Sequence, residues 1–124
     1  MRTAALALVR AIVGAAFLAT GSGKLLHHAA EARSFAHWGV PMHDHAVYVI
    51  GVLELIGGLV VLLGLVTRLG ALVLLSDMLG ALATAGRIDQ GFHIVAPAVL
   101  GAMCLVLAAR GGGRWQLLDI VDPA

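Results

Sequence analysis

The chain has 124 residues, 60% of them hydrophobic and only 12% charged, with a net charge of +1 and a mean hydropathy of +0.98. A soluble domain carries about 25% charged residues, and a chain this short has a large surface to cover, so lipid must be the solvent around most of it. The near-neutral charge offers nothing to nucleic acid, and a single cysteine, Cys104, excludes an internal disulfide or a Cys-x-x-Cys redox pair.

A helix needs roughly 20 mostly apolar residues to cross the bilayer. The first such stretch is residues 3–26. An arginine, an apolar run and small residues give the N-terminus the look of a secretory signal, but Arg10 interrupts the run and three further spans follow, so an uncleaved first helix is expected. Ala7, Ala11, Ala15, Ala19 and Gly23 recur every fourth residue, a ladder expected to let a neighbouring backbone approach in lipid. Phe17 and Lys24 follow Arg10 at heptad intervals, which puts Lys24 on the Arg10 face near the far interface. Lys24, near the end of the span, is expected to snorkel outward. The "GSGK" at 21–24 lacks the upstream glycine spacing of a phosphate loop and fits a membrane interface better.

Residues 27–45 form a longer amphipathic connection, expected to lie at the interface as a loop with Trp38 as its aromatic anchor. His27, His28, His37, His43 and His45 fall here, and His93 opens the fourth span, so all six histidines share one side. That placement gives no pair of mid-membrane histidines for a haem. His43 and His45, with Asp44 and Asp89 as possible companions, are the candidates for a metal. A quinone-headgroup or pH-responsive site and plain solvation are the other readings of this cluster.

The second span, 46–66, contains "VLELIGGLVVLLGL" (52–65), where Glu54 is the only ionisable side chain. Gly51 and Gly58 flank it on its own face, so another helix can come close to the carboxylate. Val66-Thr67-Arg68-Leu69 leaves almost no linker, which predicts a tight antiparallel hairpin into the third span, 69–86, carrying Asp77. The fourth span is 92–109. In it Cys104, among Ala102, Met103 and Leu105, is expected to be a buried, inert thiol. "RGGGRW" (110–115) is a flexible exit with Trp115 as a second anchor, and "QLLDIVDPA" an interfacial tail. One side holds Arg2, Arg68, Arg110 and Arg114 and the other Lys24, Arg33 and Arg87. Four basic residues against three place both termini in the cytoplasm.

At 1.5 Å per residue, Arg10 lies ~10 Å and Asp77 ~12 Å from the face nearest the 66/69 turn, and Glu54 ~18 Å from it. A mid-membrane charge costs about 2.5–3.5 kcal/mol, so pairing is expected: an Arg10–Asp77 ion pair, with Glu54 sharing Arg10 or protonated. Arg10, Glu54 and Asp77 thus make the expected polar core, with Lys24, Arg68 and His93 as secondary candidates. Such a core can serve as a lock on helix register, or as a proton, quinone or substrate site.

Arg10 with "GSGKL" ending the first helix, "SFAHWGVP", "ELIGGLVVLLGLVTRLGALVL", "DMLGALAT" and "GGGRWQLLD", in that order, resemble the DoxX family of small four-helix bacterial membrane proteins over nearly the whole chain. The resemblance implies a plasma-membrane protein described as an oxidoreductase or quinol-oxidase-linked subunit, with Arg10, Lys24, Glu54, Arg68 and Asp77 as the positions carried over. The expected fold is therefore all-α: one integral membrane four-helix bundle spanning residues 1–124. The expected function is that of an accessory subunit of a quinone-linked membrane redox system, in contact with lipid and with a protein partner or a second copy. A non-catalytic scaffold that recruits an enzyme and a proton-coupled permease are the alternatives.

Overall fold

The computed structural model describes residues 3–112. The expectations for Arg2, Arg114, Trp115 and the C-terminal tail fall outside them. Within them the protein is all-α. It runs α1 (Thr3–Leu26), α2 (His28–His37), α3 (His43–Leu63) and α4 (Thr67–Ala81). A π-helical turn (Leu82–Gly86) joins α4 to α5 (Arg87–Asp89), and α6 (Phe92–Arg110) follows. Among the described residues, four helical rods are long and apolar enough to cross a membrane: α1, α3, the continuous Thr67–Asp89 and α6. The fold is an integral membrane four-helix bundle.

The boundaries follow local chemistry. The polar turn His43-Asp44-His45 belongs to α3, which therefore begins three residues before the apolar run. The helix stops at Leu63 because Gly64 takes a left-handed conformation (φ 73°), one that glycine adopts without steric cost. The Leu65 N–H then returns to the Val60 carbonyl at 2.8 Å. Val66 is also left-handed (φ 45°), an uncommon state for a β-branched residue. The two reversals turn the chain within three residues and make the hairpin that the short linker predicts. The expected interfacial loop contains a helix instead. Its "HAAEARSFAH" is alanine-rich with Glu31 in the first turn, which favours helix, but it is too short to register as a span.

Small residues bring α1 and α3 together, on a different face from the one expected. Of the alanine ladder, Ala11, Ala15 and Ala19 are exposed, and a side chain at Gly23 would meet nothing within 4 Å. The close approach is on the face of Arg10, Phe17 and Lys24. A Cβ at Gly14 would lie 2.6 Å from Leu62 Cβ and 2.9 Å from the Gly58 carbonyl oxygen, and one at Gly21 would lie 2.8 Å from the Gly51 carbonyl oxygen. Gly51 and Gly58 therefore admit a neighbouring backbone beside Glu54, as their spacing suggests. The ladder misleads because alanine is abundant and serves equally as lipid-facing filler.

The core along this seam is Val13, Phe17, Val61, Ala71, Leu74, Cys104 and Leu107, all buried. Cys104 is a buried free thiol, as its neighbours lead one to expect. Gly57 receives Leu74 of α4, and Gly101 of α6 packs on Met78 and Leu75.

Gly14→Ala should lower unfolding stability by about 1–3 kcal/mol, because neither Leu62 Cβ nor the α3 backbone can give way. Gly23→Ala should be neutral or stabilising, since alanine is the better helix former in open space. Far-UV circular dichroism during unfolding in mixed dodecyl maltoside and sodium dodecyl sulfate reads both.

Candidate functional site

Glu54 is 2% exposed, at the level where α1, α3 and α4 meet. Its Oε1 lies 2.9 Å from Lys24 Nζ and accepts a hydrogen bond from Thr20 Oγ1 at 3.0 Å. Both partners come from the last turns of α1, on the face that Gly21 and Gly51 allow to come close. Lys24 does not snorkel outward. Its side chain is 13% exposed and turns to Glu54, with Glu31 of α2 4.0 Å away on the other side. The carboxylate lies within its reach, and an ion pair screened from lipid costs less than two separate charges. Asp77 of α4 brings a second carboxyl into hydrogen-bond contact with Glu54. Glu54 and Asp77 thus meet each other, with Lys24 rather than Arg10 as the cation.

Arg10 is buried at 6% exposure, and no Arg10–Asp77 ion pair forms among the described residues. Arg10 Nε donates to the Val61 carbonyl at 3.2 Å, Nη2 to Leu62 at 3.3 Å and Nη1 to Gly112 at 3.0 Å. Two causes redirect it. A helical side chain leans toward its own N-terminus, which carries the guanidinium away from Glu54. There it meets the last carbonyls of α3, which lack intrahelical donors and sit at the negative end of the helix dipole. Val61 is seven residues from Glu54, or ~10 Å along the axis. Equal depth counted along separate helices does not capture that offset. Arg68, half-buried at the start of α4, belongs to the same end of the bundle as Arg10.

Between α1, α3, α4, the π turn and α6 lies a cavity of about 410 Å³, within the range of small-molecule sites. Lys24, Thr20, Glu54 and Asp77 line its polar end. Phe17, Ile50, Met78 and Leu100 line its apolar body, and Trp38, Phe35, Phe92 and His93 complete the wall toward α2 and the start of α6. Arg10 does not line it. Pro97 of α6 also faces the cavity. Having no N–H, it cannot bond the His93 carbonyl one turn back, and Gly86 of the π turn packs against that oxygen. Pro97 and the π turn are two interruptions of regular helix on one wall.

Across the α2 side, Asp89 ties two elements together. Its Oδ1 lies 2.9 Å from His37 Nε2, and its Oδ2 accepts from Trp38 Nε1 at 2.6 Å. Trp38 also meets His93 edge-on at 5.5 Å between ring centres. Trp38 is thus held by a carboxylate of the opposite helix. His28 stacks on Tyr48 at 3.9 Å and contacts the Asp44 carbonyl at 2.8 Å, while His43 lies 4.0 Å from Asp44. Among the described residues no three histidine, cysteine or acidic side chains converge as a metal site, and His43 and His45 form no such set.

Lys24→Met should destabilise the bundle by about 3 kcal/mol, the cost of leaving a buried charge without its partner. Lys24→Met/Glu54→Leu should regain most of that loss. Unfolding in mixed micelles measures the coupling between the two positions.

The family model for DoxX matches residues 5–87, which contain every residue of the polar end of the cavity. Comparison with curated proteins and with solved structures finds no match.

Proposed function

The chain belongs to the DoxX family, and on that premise we propose that it is an accessory subunit of a quinone-linked redox system in the bacterial plasma membrane, holding a quinone headgroup in the cavity. The observation that carries the reading is the cavity's composition: an apolar, aromatic-walled space inside the bundle that ends in Lys24, Thr20, Glu54 and Asp77. A quinone has that division of character, with a flat apolar ring and two oxygens that need polar partners. The cavity's volume accommodates a substituted ring. A bound quinone would contribute two-electron, two-proton chemistry. Phe17 and Met78 of the apolar body would hold its ring and Lys24 its polar edge, and Glu54 and Asp77 would supply carboxyls for proton transfer.

The subunit reading places lipid around the outer faces, a soluble or membrane enzyme as the electron donor, and both termini in the cytoplasm. The whole chain acts as one transmembrane unit. Arg10 takes a structural part here, closing the end of the bundle remote from Lys24.

Purification in mild detergent followed by solvent extraction tests the reading. The wild type should release quinone at close to one per chain, and Glu54→Leu should lose at least nine-tenths of it. A colourless protein without quinone that co-purifies with a soluble enzyme would replace this reading with the scaffold. A protein without quinone that drives pH-dependent solute uptake in vesicles would replace it with the permease.

A further inference from the structure

The hydrogen-bonding pattern of the polar end is unbalanced, and the imbalance discriminates between ligands. Glu54 Oε1 takes Thr20 Oγ1 at 3.0 Å and Lys24 Nζ at 2.9 Å. Asp77 lines the same end of the cavity, yet among the described residues no N–H and no hydroxyl donates to it. Its Oδ2 is a buried oxygen with no donor of that kind, and the carboxyl group as a whole contacts Glu54. Two carboxyl oxygens hydrogen-bond only with a proton between them. With that proton held in the contact, the rest of Asp77 faces the cavity as an acceptor. Lys24 carries three N–H groups and directs one at Glu54. Glu31 at 4.0 Å is beyond hydrogen-bond distance, so the ammonium keeps donor capacity toward the cavity.

A group placed there must therefore accept from Lys24 and donate to Asp77. A hydroxyl does both. A carbonyl only accepts, and sets its lone pairs against those of Asp77. Resting on the quinone reading above, we propose that the cavity selects the reduced, hydroxyl-bearing form of its ligand, a hydroquinone over the corresponding quinone, and that Asp77 is the residue that determines this preference.

Isothermal titration calorimetry of the detergent-solubilised full chain, first stripped of co-purified quinone by detergent exchange and checked by solvent extraction, under anaerobic conditions, with decylubiquinone and decylubiquinol tests this directly. The wild type should bind the hydroquinone at least about tenfold more tightly, the value of one hydrogen bond to a charged or charge-coupled acceptor. Asp77→Leu, similar in size and without an acceptor, should bring the two affinities within about threefold of each other, whereas Asp77→Asn, whose amide N–H can donate to Glu54 and leave its carbonyl toward the cavity, should keep the preference. Equal binding of both forms by the wild type, or tighter binding of the quinone, overturns the selection while leaving the quinone reading intact. A ratio that survives Asp77→Leu, or one that Asp77→Asn abolishes, overturns the role of Asp77. Failure of the wild type to bind either form overturns the quinone reading itself.

Discussion

The ion pair between Lys24 and Glu54 is the interaction on which the interior of this bundle depends. A lone charge at mid-membrane costs about 2.5–3.5 kcal/mol, and Glu54 is 2% exposed within the most apolar stretch of the chain. The carboxylate persists there because a cation from the neighbouring helix reaches it at 2.9 Å. That reach depends on glycine. A Cβ at Gly51 would lie 3.0 Å from Lys24 Cβ, and Gly14, Gly21 and Gly58 keep the same seam narrow along its length. The residues without side chains and the charged residues form one device: the first set the distance, and the second use it.

Charge is managed differently at the two ends of the bundle. Toward the α3–α4 turn, the Arg10 guanidinium binds backbone carbonyls of α3 and of the exit from α6, which offsets the negative end of the α3 dipole. At the other end, Asp89 of α5 gathers His37 and Trp38 and fastens α2 against the end of the third rod. The cavity lies between these closures. Its wall is broken by a π turn in one helix and by Pro97 in another, and such irregularities are tolerated at membrane depth only where they face protein or a cavity. The polar end, the irregular wall and the fastened α2 all surround the same volume.

Length and hydropathy were enough to read four spans from the sequence, because a twenty-residue apolar run has few alternatives. Glu54 was identifiable as a buried charge for the same reason, and Gly51 and Gly58 as its companions. The pairing of charges was not readable to the same degree. Arg10 and Asp77 sit at similar depth on paper, but the lean of helical side chains and the pull of the last carbonyls of α3 send Arg10 elsewhere. Lys24 near a span end resembles a snorkelling residue unless the position of Glu54 on α3 is known in three dimensions. The alanine ladder and the short helix α2 fail for a compositional reason. Alanine suits lipid, interface and helix equally, so its spacing does not choose among them. His37, Trp38 and Asp89 converge from positions about fifty residues apart, a convergence visible only in the folded chain.

Lys24 is the chain's only lysine, which makes its partner directly measurable. With ¹⁵N-lysine and ¹³Cδ-glutamate label, in protein reconstituted into lipid bilayers, rotational-echo double resonance reports the Lys24–Glu54 distance. Glu31→Gln removes the one other labelled glutamate. Strong dephasing of the remaining carboxyl signal, at the carbon–nitrogen separation that a 2.9 Å Nζ–Oε1 contact imposes, is the expected result. A Glu54 carboxyl undisturbed by the lysine nitrogen would contradict the account.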